Sequence, residues 1–190
     1  MFDSLVVQFV VLWAVIDPIG SIPVYLTKTV GLSVEDRRKI ARKAVMISAG
    51  ILIFFLIAGQ VLLEAMQIPL TAFQIAGGLV LLLFALTMIF GEGKPEQEIK
   101  LSSNLNELAV YPLAVPSIAS PGAMMAIVLL TDNHRFSLFD QTMTTLIMLS
   151  VLLITYLLFL AANRIQRWIG NTGAAVISRV MGLILAAVVE

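Results

Sequence analysis

The stretch VIDPIGSIPVYLT, residues 15–27, places an aspartate and two prolines inside the first long apolar run of the chain. Proline in the interior of a helix removes a backbone hydrogen bond and clashes with the preceding turn. An ionised carboxylate at the centre of a bilayer costs about 2.5–3.5 kcal/mol on insertion scales. Because Asp is a favoured N-cap and Pro a favoured first helical residue, the stretch predicts a helix that unwinds at Asp17 and restarts at Pro18.

The rest of the chain has the composition of a polytopic membrane protein. Of its 190 residues 59% are apolar and 13% are charged, and the mean hydropathy is +1.00, whereas soluble domains are about 45–50% apolar. A membrane-spanning helix needs roughly 20 apolar residues. Candidate segments, the last of them short, are residues 5–27, 44–63, 68–90, 108–131, 142–162 and 174–189. The sequence therefore predicts an all-α protein with six transmembrane helices.

The polar stretches between these segments predict the orientation of the chain. We expect loops at VEDRRKIARK (34–43), GEGKPEQEIKLSSNLNE (91–107), residues 132–140 and NRIQRWIGNTG (163–173). If the odd-numbered loops share one face, that face holds 11 of the 12 lysines and arginines. The positive-inside rule then predicts a multi-pass membrane protein with both termini outside.

A second proline-containing stretch, VPSIASPGAMMAIVLLT (115–131), mirrors the opening one. The segments GGLVLLLFA (77–85) and MGLILAAVV (181–189) also match. Gly78 follows Pro18 by 60 residues, and Gly182 follows Pro121 by 61. The spacing predicts one membrane domain made of two three-helix repeats, 1–95 and 96–190, of inverted topology, with helices 1 and 4 broken.

The paired breaks predict a binding site near the membrane midplane. Backbone outside a helix is tolerated at that depth only where protein buries it or it lines a watery cavity, and paired interruptions point to a transport site. Free N–H groups and helix dipoles there favour a carboxylate. Asp17 would bind a substrate ammonium or carry a coupling proton, or else act only as a structural cap.

The predicted substrate-binding residues combine the break motifs with positions on helices 3 and 6. They are Asp17, Pro18, Gly20, Ser21, Gln74, Gly78, Ser120, Pro121, Gly122 and Gly182. The glycines either leave space for a small substrate or let helices pack closely. Gln74 is either a polar packing contact or a donor that lines a cavity.

Catalytic and metal-binding motifs are absent from the sequence. It contains no nucleophile elbow, phosphate-binding loop, HExxH or CxxC pattern, and it has no cysteine and a single histidine. We therefore expect no enzyme activity, no metal site and no cofactor. The net charge of zero also predicts no nucleic-acid partner.

Three motifs resemble the MarC family of bacterial and archaeal inner-membrane proteins: DPIGSIP (17–23), YPLAVPSIASPGAMMA (111–126) and RVMGLIL (179–185). The resemblance covers essentially the whole chain. It implies a six-helix protein with inverted halves, related to small amino-acid transporters, and some members are described as carriers of glycine and alanine. The family usually has Asn at the position of Ser21 and Gly at that of Ser120, and both departures bear on substrate choice.

Residues and resemblance together predict a secondary transporter of small neutral amino acids, with proton coupling as one option. One alternative is a partner-binding membrane subunit that transports nothing and whose breaks are packed shut. Another is a small-solute channel with a continuous pore, and antibiotic efflux is a weaker third, since it would want a large aromatic-lined cavity. The expected partners are the amino acid, the lipid bilayer and, as an option, further copies of the chain.

Overall fold

The computed structural model describes residues 2–91, 105–133 and 136–188, and over these ranges every regular element is a helix. The elements are α1 (Phe2–Ile16), α2 (Ser21–Lys28), α3 (Val34–Ala65), α4 (Leu70–Phe90), α5 (Leu105–Leu108), a π-helical segment (Ala109–Ile118), α6 (Pro121–Leu130), α7 (Leu138–Leu160) and α8 (Ala162–Val188). The π-helical segment is irregular, because its backbone is extended at Tyr111 and Val115. Among the described residues, five stretches are long and apolar enough to cross a membrane, and the bent pair formed by the π-helical segment and α6 makes a sixth. The prediction of an all-helical fold is confirmed, with up to six candidate membrane spans.

The first broken helix lies at the centre of the bundle. The most apolar window of residues 5–28 is 61% buried within the protein, whereas the corresponding windows of α3, α4, α7 and α8 are 22–33% buried. α1 contacts α6, α7 and α8, and α2 contacts α8 and the π-helical segment. The outer helices surround this centre and expose apolar faces, as expected of helices that face lipid.

The basic stretch 34–43 is helical, and the prediction of a loop there was wrong. Ser33 caps α3, its side chain accepting a hydrogen bond from the backbone N–H of Asp36 at 3.1 Å. The Tyr25 hydroxyl donates to the Arg37 carbonyl at 3.0 Å and ties the end of α2 to this turn. Ile40 and Ala41 of the stretch are buried, as is Ala44 directly after it. The polar residues are the outer face of a helix whose inner face packs on the bundle.

Helix also extends into two further predicted loops. A capping box between Ser137 and Asp140 starts α7 at Leu138, so the predicted loop 132–140 ends earlier than expected. The predicted turn 163–173 lies within α8, which bends at Gly170, where φ is +67° and ψ 177°. The boundary predicted at residues 95 and 96 lies outside the described residues, as do most of the connector 91–107 and His134.

Candidate functional site

The first break, residues 17–20, separates α1 from α2 and is organised by Asp17. This side chain is 1% exposed and its backbone lies in the left-handed region, at φ +46°. Its Oδ1 accepts a hydrogen bond from the backbone N–H of Gly20 at 3.1 Å, the bond that an N-cap makes to the third residue of a helix. The regular part of α2 begins at Ser21. Asp17 therefore forms the expected capping bond, but residues 18–20 form a turn rather than the first turn of α2.

The second break, residues 119–120, separates the π-helical segment from α6, and the two are bent by 54°. Ser120 is the N-cap of α6, and its Oγ accepts from the backbone N–H of Ala123 at 3.0 Å. Pro121 occupies the first helical position, where its missing N–H has no intrahelical partner to lose. The Ser120–Pro121 cap predicted from the sequence is confirmed.

The two broken helices contact each other beside their breaks, in the buried centre of the protein. The Ser120 hydroxyl donates to the carbonyl of Val15 at 3.1 Å. The Ser117 hydroxyl donates to the Ser21 hydroxyl at 3.0 Å. The Ser48 hydroxyl of α3 donates to the Ala44 carbonyl of its own helix at 2.9 Å and also lies 3.3 Å from the Ala114 carbonyl of the π-helical segment. We call the two breaks, together with Ser21 and Ser117, the crossing.

Helix α8 places against the crossing a residue that the sequence analysis missed. The Ser178 hydroxyl donates to Oδ2 of Asp17 at 2.8 Å. Gly20 makes room for this contact, because an added Cβ would overlap both Asp17 Oδ2 and Ser178 Oγ. A signal for Ser178 existed in the repeat: it lies four residues before Gly182, as Gln74 lies four residues before Gly78.

The predicted site residues fall into four groups in space. Five lie at the crossing: Asp17, Pro18, Gly20, Ser21 and Ser120. Pro121 and Gly122 follow in the first turn of α6, where a Cβ on Gly122 would meet the ring of Phe84 at 3.0 Å. Gly182 packs on α4, where an added Cβ would meet the Met88 Cβ at 2.8 Å and the Ala85 carbonyl oxygen at 2.9 Å. This close approach is typical of small residues between membrane helices.

Gln74 and Gly78 line a separate groove of about 670 Å³ between α1, α4, α6 and α8. The rest of its lining is apolar, and no residue of the crossing belongs to it. Val11, at the groove, lies six residues before Asp17, which is about 9 Å along a helix. In this conformation the crossing is closed off from the groove.

The crossing offers one carboxylate, three serine hydroxyls and the N-terminal ends of two short helices. These groups form hydrogen bonds and an electrostatic environment suited to a small charged or polar solute. Among the described residues, no three His, Cys, Asp or Glu side chains cluster in a way that would hold a metal ion.

The comparison with known proteins agrees with this architecture. The family model described as "MarC family integral membrane protein" matches residues 2–189. The chain belongs to the MarC family. The resemblance recognised in the sequence motifs is thereby confirmed over nearly the whole chain.

Its MarC relatives come from both archaea and bacteria. A UPF0056 membrane protein of Methanocaldococcus jannaschii is 33% identical over 96% of this chain and 90% of its own length. The UPF0056 membrane protein YvbG of Bacillus subtilis is 33% identical over 99% and 91%, and one of Aquifex aeolicus is 32% identical over 95% and 86%. The names of these relatives describe them as membrane proteins and mention no substrate. No solved structure matches the chain.

Proposed function

We propose that this MarC-family protein is a secondary transporter of small neutral amino acids of the glycine and alanine class, and that substrate binds at the crossing. The observation that carries the proposal is the contact between the two broken helices beside their breaks, where the hydroxyl oxygens of Ser117 and Ser21 lie 3.0 Å apart. Interrupted helices at corresponding positions of two halves are the recurrent binding-site plan of secondary transporters. The inverted relation between residues 1–95 and 96–190 is part of the same proposal.

The chemistry of the crossing fits a zwitterion. The N-terminal ends of α2 and α6 both lie there, and their dipoles and N–H groups favour a carboxylate. Asp17 supplies the complementary negative charge for an ammonium group, or carries a proton that couples transport to a gradient. Little room exists for a side chain, since even a Cβ on Gly20 would overlap its neighbours. These features favour the smallest amino acids.

Substrate binding requires the crossing to open. The capping bonds of Asp17 to Gly20 and of Ser120 to Ala123 fill the positions that a substrate carboxylate would take. The bond from Ser178 covers the other carboxylate oxygen of Asp17. In the proposed cycle, one half rocks against the other and exposes these groups to each side in turn.

Uptake of radiolabelled glycine and alanine into proteoliposomes tests the proposal, with and without an imposed proton gradient. The informative variant is Asp17→Asn, because Asn tolerates a positive φ and its amide oxygen still accepts the Gly20 N–H. Asp140→Asn, in the capping box of α7, is the matched control. Gradient-driven uptake that is lost in Asp17→Asn and kept in the control supports a carrier with Asp17 in its mechanism. Uptake that survives in Asp17→Asn would show that Asp17 serves only as a structural cap.

A second candidate is a partner-binding membrane subunit, and the burial of the crossing favours it. Asp17, Ser21, Ser117 and Ser120 are each at most 1% exposed, and none lines the groove. The absence of glycine or alanine uptake under any gradient would favour this candidate. Uptake that needs no gradient and does not saturate would instead favour a small-solute channel.

A further inference from the structure

The junction between α7 and α8 forms a separate feature at one membrane face. Beyond Gly170, α8 continues through residues 171–188, about 27 Å of helix, which matches a hydrocarbon core about 30 Å thick. The preceding residues 161–170 therefore lie at the membrane surface between two spans. We call them the elbow. The elbow follows the fifth membrane span, and the connection between α2 and α3 follows the first. Four spans separate the two, so they lie on the same membrane face.

The elbow presents a cationic, aromatic face. Arg164, Arg167 and Trp168 are exposed, Trp168 to 87%, and spacings of three and four residues place them on one side of a helix. Ile165 lies on the other side and packs against the core. The sequence has no acidic residue between Asp140 and Glu190. Within the described residues, neither arginine has a carboxylate partner.

A groove beside this face combines an apolar wall with a cationic end. It has a volume of about 460 Å³ and is lined by Leu157, Leu160, Ala161, Asn163 and Arg164. Leu157 and Leu160 belong to the lipid-facing surface of α7, being 53% and 42% exposed. The groove therefore offers hydrocarbon contact on the membrane side and a guanidinium and an amide at the surface.

Backbone geometry holds the elbow in place. Gly170 adopts φ +67°, a conformation that glycine reaches at no steric cost. The Gln166 side-chain amide donates to the Asn171 side-chain oxygen and bridges the bend. The cationic face is thus fixed relative to the membrane-spanning part of α8. A backbone bond from the Ala161 N–H to the Leu157 carbonyl, at 3.0 Å, joins the elbow to the end of α7.

We propose that the elbow binds an anionic phospholipid, its phosphate on Arg164 and Arg167 and an acyl chain along Leu157 and Leu160. Basic pockets between transmembrane helices are known to take anionic lipid headgroups. The apolar wall and the exposed Trp168 distinguish this site from one for free phosphate, because a small anion would use neither. The site is independent of the crossing and of what the protein transports.

Quenching of Trp168 fluorescence by brominated lipids tests the site. The chain has two tryptophans, so Trp13→Phe leaves Trp168 alone, and Phe keeps the ring that stacks on Phe9. Vesicles of phosphatidylcholine and phosphatidylglycerol in fixed proportion carry bromine on one lipid or the other. We expect brominated phosphatidylglycerol to quench Trp168 more strongly than brominated phosphatidylcholine does. Each arginine should raise the relative affinity for phosphatidylglycerol by up to about fivefold. Equal quenching by the two lipids would overturn the proposal without any arginine variant.

Arginine variants then locate the selectivity. In the Trp13→Phe background, Arg164→Gln with Arg167→Gln is expected to bring the two quenching efficiencies to equality. The matched control, Arg38→Gln with Arg42→Gln, removes two exposed charges from α3 and is expected to keep the preference. An equal loss in both double variants would show an effect of general surface charge and would overturn a site at the elbow. Gel filtration in detergent verifies that each variant is folded.

Discussion

At the scale of single residues, Asp17 shows how a carboxylate is tolerated inside the first apolar run. Burying a charge without partners is costly, but both carboxylate oxygens of Asp17 accept hydrogen bonds, from the Gly20 N–H and the Ser178 hydroxyl. The N-terminal end of α2 adds a favourable dipole. The two hydrogen bonds depend on the same glycine, because Ser178 reaches Asp17 only where Gly20 has no side chain.

Ser178→Ala removes one of these hydrogen bonds, so the buried Oδ2 of Asp17 loses a donor. We expect a loss of about 1–3 kcal/mol in the free energy of unfolding. The measurement is unfolding in mixed micelles by titration with sodium dodecyl sulfate, followed by circular dichroism. Ser150→Ala is the control, because Ser150 is exposed and bonds only to the Leu146 carbonyl of its own helix. Equal stability of the two variants would contradict a role for Ser178.

Gly20→Ala tests whether the close approach of Asp17 and Ser178 needs an empty position. The backbone of Gly20 is right-handed helical, with φ −65°, so alanine fits its conformation and only space opposes it. We expect a destabilisation of about 1–3 kcal/mol from overpacking. Gly50→Ala in α3 has no neighbour within 4 Å of the added Cβ and should stabilise by about 0.5–1 kcal/mol. The same titration measures the free energy of unfolding of both variants. If Gly20→Ala and Gly50→Ala change it in the same direction, the close approach at Gly20 does not limit stability.

At the scale of elements, the second break depends on Ser120 as both cap and contact. Its hydroxyl accepts from the Ala123 N–H of its own helix and donates to Val15 of the first broken helix. The first bond defines where α6 begins, and the second holds the two broken helices together. One side chain thus couples the start of a helix to the packing of two.

Comparing Ser120→Ala with Ser120→Gly separates these two contributions. Both variants lose the contact with Val15, but Gly is a better N-cap than Ala, so we expect Ser120→Gly to be the more stable. Loss of the cap alone costs about 0.5–2 kcal/mol. Ser137→Ala removes an exposed cap with no interhelical bond and should cost less than Ser120→Ala. Thermal unfolding in detergent ranks the three variants, and a reversed order of Ala and Gly would contradict the cap.

The sequence predicted the breaks better than it predicted the helix ends. Asp17, Pro18, Ser120 and Pro121 act on their own backbone, so their effect can be anticipated from neighbouring residues. Hydropathy, in contrast, indicates which residues lie in the bilayer and not where a helix stops. The polar turns of residues 34–43 therefore looked like a loop, although Ser33 and Asp36 carried the capping signal.

At the scale of the whole molecule, the contacts that build the crossing join residues distant in sequence. Ser117 bonds Ser21 across 96 residues, and Ser178 bonds Asp17 across 161. The repeat predicted that the breaks would meet, but local patterns carry no information on which hydroxyl pairs with which oxygen. For the same reason Gln74 and Gly182 were grouped with the breaks, although they face a groove and a neighbouring helix.

The crossing also provides a way to test motion between the two predicted halves. The chain has no cysteine, so a disulfide between two introduced cysteines forms without competition from native thiols. The Ser21 and Ser117 hydroxyl oxygens lie 3.0 Å apart, and a disulfide joins two sulfurs at about 2.05 Å. Oxidation of Ser21→Cys with Ser117→Cys should therefore link the halves at their point of contact.

If alternating access separates these residues, the oxidised double variant should reduce amino-acid uptake to that of empty liposomes, and a reductant should restore it. Each single variant is the control, and its uptake should be the same under oxidising and reducing conditions, whatever its absolute rate. Thiol labelling measures how much disulfide has formed. Full uptake by a completely cross-linked protein would show that Ser21 and Ser117 stay together during transport. The moving parts would then lie elsewhere in the bundle, and the rocking of the two halves about the crossing would have to be abandoned even with amino-acid transport established.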